Sequence, residues 1–421
     1  MSILLKNVIL AGQKKDIFIK GNKIERIGNN LNLKADQKID GKRERAVLPG
    51  FVNCHTHAAM SLLRGYADDL TLKEWLEDKI WPLEAKMGPE DIYWGTKLAC
   101  LEMIKSGTTA FNDMYFFPEA EIQAVAEMGL RALIGLVVFD LSESGKPENI
   151  AKTYYRLKSK QSDLVKLSIA PHAIYTVSKE NLIWSKNFAQ KEKLLLHIHL
   201  SETEKEVRDC LKKHKMRPAE YLNKIGFLGA NVISAHSVWL SEKEIKTLAE
   251  KEVSPVYNPC SNLKLVSGEI FPYKIFREKK VNICLGTDGA ASNNSLDMIK
   301  EMKFASLLQK HREKDPTLLS AKESLGIATK NGARALKINA GEVKKGKLAD
   351  LILIDLNKIY FSPGYNLTSD LVFSAAGDCV SDLISDGKIL MRDRKINGEE
   401  KIIKEIKKRA KNLMDKKHPT I

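Results

Sequence analysis

Five of the nine histidines, His55, His57, His172, His199 and His236, fall at or near the ends of short apolar, β-branched segments, and Asp288 ends another. His55 and His57 stand at i and i+2, so on a strand their side chains point to one side and can share a metal ion. An isolated His-x-His pair is a weak signal. Nitrogen and carboxylate donors arriving from several separate strand ends are a strong one, because a metal that activates water needs neutral imidazoles, an anion and an open position. His197, two residues before His199 and on the same face, reads as a hydrogen-bonded residue lining the site. The cysteines, Cys54, Cys100, Cys210, Cys260, Cys284 and Cys379, form no CxxC pair and no disulfide-like spacing, so they read as reduced thiols rather than thiolate ligands.

The segments that must position these donors recur regularly. Apolar runs at 51–57, 108–115, 131–139, 164–173, 194–202, 231–238, 254–262 and 282–289 give eight candidate strands, with helical patterns such as PEDIYWGTKLACLEMIKSG and PEAEIQAVAEMGL between them. A strand after each helix implies parallel pairing through right-handed crossovers, and eight such units close into a (β/α)8 TIM barrel whose active site lies at the C-terminal strand ends. The ends of the chain do not fit this alternation. Residues 3–48 and about 342–396 alternate apolar and polar with turn signals and read as antiparallel strands. The expected α/β architecture is therefore a barrel over residues 49–341 and a small flanking β-sandwich built from 1–48 and 342–400. A basic helix or tail over 401–421 follows, reading as exposed and amphipathic through Ile402, Ile403, Ile406, Ala410 and Leu413.

Composition narrows the functional classes. With 421 residues, 43 % hydrophobic and 29 % charged, the chain is that of an ordinary globular protein and not a disordered one. No apolar run approaches the roughly 20 residues needed to span a bilayer. The N-terminus lacks a basic n-region and a small-residue cleavage site, so a cytoplasmic protein is expected. The net charge of +15 would suit a phosphate backbone, but outside the C-terminal tail the basic residues are interleaved with acids, as in SEKEIKTLAEKE, which reads as a solvated surface and not a nucleic-acid site.

The sequences PGFVNCHTHAAMSLLRG, SIAPHAIY, HIHLSET, ISAHSVWL, NPCSNLKL and LGTDGAASNN closely resemble the amidohydrolase superfamily. Within it, the continuation HTHxxMSLLRG, then EWL and a Glu in a WPLE segment, resembles the deaminases of S-adenosylhomocysteine, 5′-methylthioadenosine and 5′-deoxyadenosine. The resemblance implies one Zn²⁺ per subunit, held by His55, His57, His199 and Asp288. It implies a mononuclear site, since the fourth strand ends in APHAIY, with His172 and no lysine to bridge two metals. The implied reaction is attack of activated water on C6 of adenine with loss of ammonia. In it Glu202 supplies the proton to N1, Asp288 takes the proton of the attacking water, and His236 orients that water and stabilises the developing charge.

For the substrate, the resemblance implies that Glu84 binds the ribose hydroxyls, that His172 makes a second ribose or 5′-side contact, and that Glu202 and Asp288 also touch the purine. Trp75 closes over the purine or the 5′ group, or else is core, and Ser261 and Asn262 line the pocket. Relatives that grip a homocysteine carboxylate carry Arg at or after the third strand. Here no Arg occurs between Arg131 and Arg156, with only Lys146 nearby, so an anion-binding fork is not expected and small uncharged 5′ groups are favoured. A homotetramer and a role in nucleoside salvage are further implications of the resemblance. The competing expectations are a guanine, cytosine or s-triazine hydrolase sharing the zinc site, and an inactive barrel kept as a binding protein.

Overall fold

The structure is a computed structural model and describes residues 1–415. Eight parallel strands run consecutively around a barrel: β6 (Phe51–Thr56), β7 (Thr108–Tyr115), β8 (Arg131–Val138), β9 (Val165–Pro171), β10 (Leu196–Leu200), β11 (Val232–His236), β12 (Ser254–Tyr257) and β13 (Cys284–Leu285). β7 and β8 are buried at every position, which explains their near-continuous apolar sequences. The seam between β13 and β6 is closed by the Asp288 amide donating to the His55 carbonyl (2.9 Å) and by Asn53, whose side chain bonds both Thr287 Oγ1 and the Thr287 amide.

Helices follow the strands, with ends written locally in the sequence. Proline opens Pro89–Ser106, Pro118–Met128 and Pro147–Leu157, and Gly107 (φ 96°) and Gly129 (φ 76°) close the first two in the left-handed conformation. The lysine- and glutamate-rich stretch after β10, for which the sequence reading named no helix, forms one at Glu204–His214, capped by Thr203.

The last two barrel strands are shorter than expected. β12 stops at Tyr257, and Pro259 opens a short helix, Pro259–Lys264, so Ser261 and Asn262 lie on a helix rather than on a strand end. β13 stops at Leu285, and Asp288 lies beyond it with φ 63°.

The two chain ends meet in one mixed sheet: β1 (Ser2–Leu10), β2 (Gln13–Lys20), β3 (Lys23–Gly28), β4 (Gln37–Asp40), β5 (Arg45–Pro49), β14 (Leu351–Asp355), β15 (Val380–Ser385) and β16 (Lys388–Met391), in the order β16-β15-β14-β5-β1-β2-β3 with β4 on β1. The pairing is not purely antiparallel as expected, because β1 runs parallel to β4 and β5. A register shift between Leu5 and Val8 breaks β1 into two halves, and each half takes a different partner on the same edge. Arg131, at the start of β8, joins the sheet to the barrel through Asp350 (3.1 Å) and Asp386 (3.0 Å).

The helix Glu399–Asp415 is amphipathic but is not free in solvent as expected. Ile402 and Leu413 are buried, Ile406 and Ala410 pack on a cluster with Leu63 and Ile92, and Arg409 pairs with Glu90 (2.7 Å). Only Ile403 of the five apolar positions is exposed. Residues 416–421 of the expected tail lie outside the described residues. Among the described residues, no helix is long and apolar enough to cross a membrane.

Candidate metal centre and adjoining cavity

The C-terminal ends of β6, β10 and β11, with the turn after β13, bring His55, His57, His199, His236 and Asp288 together. Asp288 Oδ1 lies 3.3 Å from both His55 Nε2 and His57 Nε2, and His199 Nε2 lies 3.3 Å from His57 Nε2. His236 and Asp288 adopt left-handed φ values of 64° and 63°, uncommon for residues with a side chain. Such strain is held by the surrounding structure and gathers at functional sites.

The donor set fits a metal ion. His57 Nδ1 donates to the Met114 carbonyl (2.7 Å) and His199 Nδ1 to the His172 carbonyl (2.8 Å), which leaves each Nε2 lone pair facing the centre. His55 Nε2 is fully buried and makes no hydrogen bond, while its Nδ1 meets His197 Nε2 at 2.9 Å. Burial pulls His55 down to about 4 and His199 well below the usual imidazole range, so both are neutral near pH 7. Burial would raise Asp288, yet the facing imidazoles of His55, His57 and His236 hold it well below the ordinary carboxylate range. Three imidazole nitrogens and one carboxylate make the kind of donor set a catalytic divalent ion uses.

Asp288 has a shell the sequence reading did not supply. Ser261 Oγ (2.5 Å) and Ser292 Oγ (2.9 Å) both donate to Oδ2, and the Gly289 amide donates to Oδ1 (2.8 Å). Glu202 follows β10 and reaches the centre from the side: Oε2 is 3.7 Å from His236 Nε2, and Oε1 accepts from Ser267 Oγ (3.2 Å). Burial raises its carboxyl above the ordinary range. Its backbone is pinned by Glu206, which accepts from the Ser201 and Glu202 amides at 2.8 and 2.9 Å.

A cavity of about 690 Å³ opens from this centre and is walled by Met60, Leu72, Trp75, Trp81, Met114 and Phe116. Its polar lining includes Glu84, His172, Glu202, His236 and Asp288. Trp75, buried at the start of a π-helical turn, lines the cavity and packs with Leu83 and Met87, so it is both wall and core. Glu84 accepts a hydrogen bond from Tyr115 Oη, and burial raises its carboxyl to about 7. His172 donates or accepts at Thr176 Oγ1 (2.8 Å), and burial lowers it to about 3. Ser261 and Asn262 face Asp288 and His236, behind the centre and away from the open cavity.

Lys146 is tied to Glu143 on the surface and does not line the cavity. Arg156, in the last turn of the helix that begins after Lys146, does line it, paired with Glu119. Tyr115, Ser267 and Ser292 were absent from the sequence reading. The motifs LGTDGAASNN and NDMY contain Ser292 and Tyr115, but nothing local marks them as partners of Asp288 and Glu84.

The model of the amidohydrolase family matches residues 46–390. A 5′-deoxyadenosine deaminase of Methanoregula boonei is 46 % identical over 422 residues, covering 98 % of this chain and 95 % of that protein. A 5-methylthioadenosine/S-adenosylhomocysteine deaminase of Thermococcus sibiricus is 47 % identical over 401 residues, covering 93 % and 94 %. Among solved structures, an adenosine deaminase from Xanthomonas campestris with bound zinc superimposes with a TM-score of 0.93 at 32 % identity, covering 99 % of this chain and 98 % of that one.

Proposed function

This chain belongs to the amidohydrolase family, and we propose that it is a zinc-dependent hydrolytic deaminase that converts 5′-modified adenosines to their inosine analogues with release of ammonia. The observation that carries the reading is the meeting of His55, His57, His199 and Asp288 around one point, with Glu202 beside it and a nucleoside-sized cavity above it. The relatives at 46 and 47 % identity supply the substrate class. The zinc in the Xanthomonas campestris enzyme supports the choice of metal.

Bound by these four side chains, the metal would supply a water acidic enough to attack at neutral pH. The chain's own groups do the rest. Asp288, held by two serine hydroxyls at Oδ2 and by the Gly289 amide at Oδ1, takes a proton from the attacking water. Glu202, whose carboxyl burial raises above the ordinary range, delivers a proton to N1 of the purine as C6 becomes tetrahedral. His236 hydrogen-bonds the attacking oxygen and the developing charge. Glu84, fixed by Tyr115, accepts from the ribose hydroxyls, His172 contacts the sugar or its 5′ side, and Trp75 walls the apolar part of the substrate.

The assignment extends to domain limits at about residues 49 and 341, where the alternation of strands and helices begins and ends, and to a cytoplasmic location, while a homotetramer and a role in nucleoside salvage rest on family likeness. It is tested by incubating zinc-loaded protein separately with 5′-deoxyadenosine, 5′-methylthioadenosine, S-adenosylhomocysteine, adenosine and guanine and following the ultraviolet shift on loss of ammonia. Conversion of the adenosines is expected. Conversion of guanine with none of the adenosines overturns the substrate assignment and favours another amino-heterocycle hydrolase.

A further inference from the structure

Glu202 stands on the wall of the cavity, and its carboxyl is aimed by a group that does not. Among the described residues, the hydrogen bond to that carboxyl comes from Ser267 Oγ, which donates to Oε1 (3.2 Å). Ser267 is buried and does not line the cavity, so its hydroxyl touches Glu202 and not the substrate. A buried hydroxyl with one acceptor in reach gives its proton to that acceptor. Oε1 is thereby occupied, while Oε2 faces the centre, 3.7 Å from His236 Nε2. Ser267 lies on the loop 265–272, between the helices Pro259–Lys264 and Tyr273–Glu278. Its amide donates to the Asn262 carbonyl (3.0 Å), and its carbonyl accepts from Trp239 Nε1 (2.8 Å). Trp239 is in turn bound to the strand end beside Glu202, its amide donating to the Ser201 carbonyl (2.8 Å). One tryptophan therefore ties the backbone that bears Glu202 to the loop that holds its carboxyl. Gly268 lets the indole in, since its φ is 125° and a Cβ there would lie 2.3 Å from Trp239 Nε1.

We propose that Ser267 is a positioning residue for proton delivery, whose hydroxyl fixes Oε1 of Glu202 and leaves Oε2 as the oxygen that gives its proton to the purine. This role rests on the proposed deaminase activity. In the step itself the Oε2–H bond breaks, the N1–H bond forms and the electron pair stays on the carboxylate. The Ser267 hydroxyl already points at that carboxylate, and its hydrogen bond strengthens as the charge appears, as bonds to ionised acceptors do. It stabilises the transition state more than the bound substrate, so its effect belongs to kcat. Glu206, which accepts from the Ser201 and Glu202 amides, fixes where the side chain starts, and Ser267 fixes where it ends.

The test is a double-mutant cycle in zinc-loaded protein, read on the adenosine that the unmodified protein deaminates fastest. In Ser267→Ala the metal content should be unchanged, KM should hold within about twofold, and kcat should fall about tenfold, the scale of one net hydrogen bond. Made in the Glu202→Gln background, the same substitution should cost nothing further, because Ser267 acts only through the group already lost. Ser267→Cys, with a weaker donor of similar size, should fall between the two. A full kcat in Ser267→Ala overturns the proposal. So does an equal loss in both backgrounds, which would mark a general disturbance of the pocket. Should Ser267→Ala fail to fold, Ser267→Cys decides, since a kcat equal to that of the unmodified protein overturns the role. If the unmodified protein deaminates none of the adenosines, the functional reading falls and this role with it. If it deaminates them and Ser267→Ala keeps the full rate, only the role of Ser267 falls.

Discussion

His197 Nε2 stands 2.9 Å from His55 Nδ1, with both rings fully buried inside the barrel and held edge to face. For His55 to turn its Nε2 lone pair to a metal, Nδ1 must carry the proton, and His197 is the acceptor that fixes it there. Burial and the neighbouring imidazoles keep His197 itself neutral. Replacing His197 by Ala is expected to weaken metal affinity ten- to a hundredfold, the usual effect of losing a group that orients a ligand, with the fold intact. Competition against a calibrated chelator measures this, and unchanged affinity would show that packing alone orients His55.

Glu202→Gln removes the exchangeable proton while keeping the side chain's size and its bond from Ser267. Metal content should be unchanged and turnover should drop at least about a hundredfold. Near-normal turnover with any adenosine would take the proton-delivery role away from Glu202.

The carboxyl of Glu84, raised to about 7 by burial, predicts a pH dependence in substrate binding. Below that value the group is protonated and a poorer acceptor for the ribose hydroxyls; above it the carboxylate binds them fully. KM for nucleosides should therefore fall as pH rises through about 7. Inhibition by free adenine, which has no ribose, should lack that inflection, and Glu84→Gln should abolish it. An inflection shared by adenine would count against the ribose contact.

Arg156 and Glu119 answer each other's charge at the cavity wall, so Arg156 is not a free anion fork. Arg156→Ala should leave kcat/KM for 5′-deoxyadenosine and 5′-methylthioadenosine within about twofold, as for an exposed ion pair of small net worth. A loss confined to S-adenosylhomocysteine would reverse the expected preference for uncharged 5′ groups and assign its carboxylate to Arg156.

Arg131 bridges barrel and sheet, and its partner Asp350 is almost completely buried. Arg131→Met would leave that carboxylate without its cation. A loss of roughly 3–5 kcal/mol is expected from breaking one side of a buried pair. Urea unfolding reads it, and a smaller loss in Arg131→Met/Asp350→Asn would show that the cost lies in the stranded charge.

The barrel was legible because its information is local. The barrel strands are rich in apolar residues, many of the helices carry a Pro, Ser, Thr or Gly end signal, and their alternation fixes parallel pairing. The pairing of His55 with His57 was legible for the same reason, since a period of two places them on one face. Strand length was not, because Pro259 and the turn to Asp288 end β12 and β13 for reasons of chain geometry that an apolar pattern does not register.

What the sequence alone determined was the repeating βα framework, the metal-type residues at its strand ends and the strands at both chain ends. What the tertiary structure decided was every contact made across the barrel: His197 on His55, 142 residues apart; Tyr115 on Glu84; Ser261 and Ser292 on Asp288; Asn262 on His236. It likewise decided that β1 takes parallel partners and that the helix Glu399–Asp415 docks against Pro89–Ser106. Secondary structure follows from periodicities a few residues long. The partners of a buried polar group follow from where closed strands bring distant residues face to face, and no local window of sequence holds that distance.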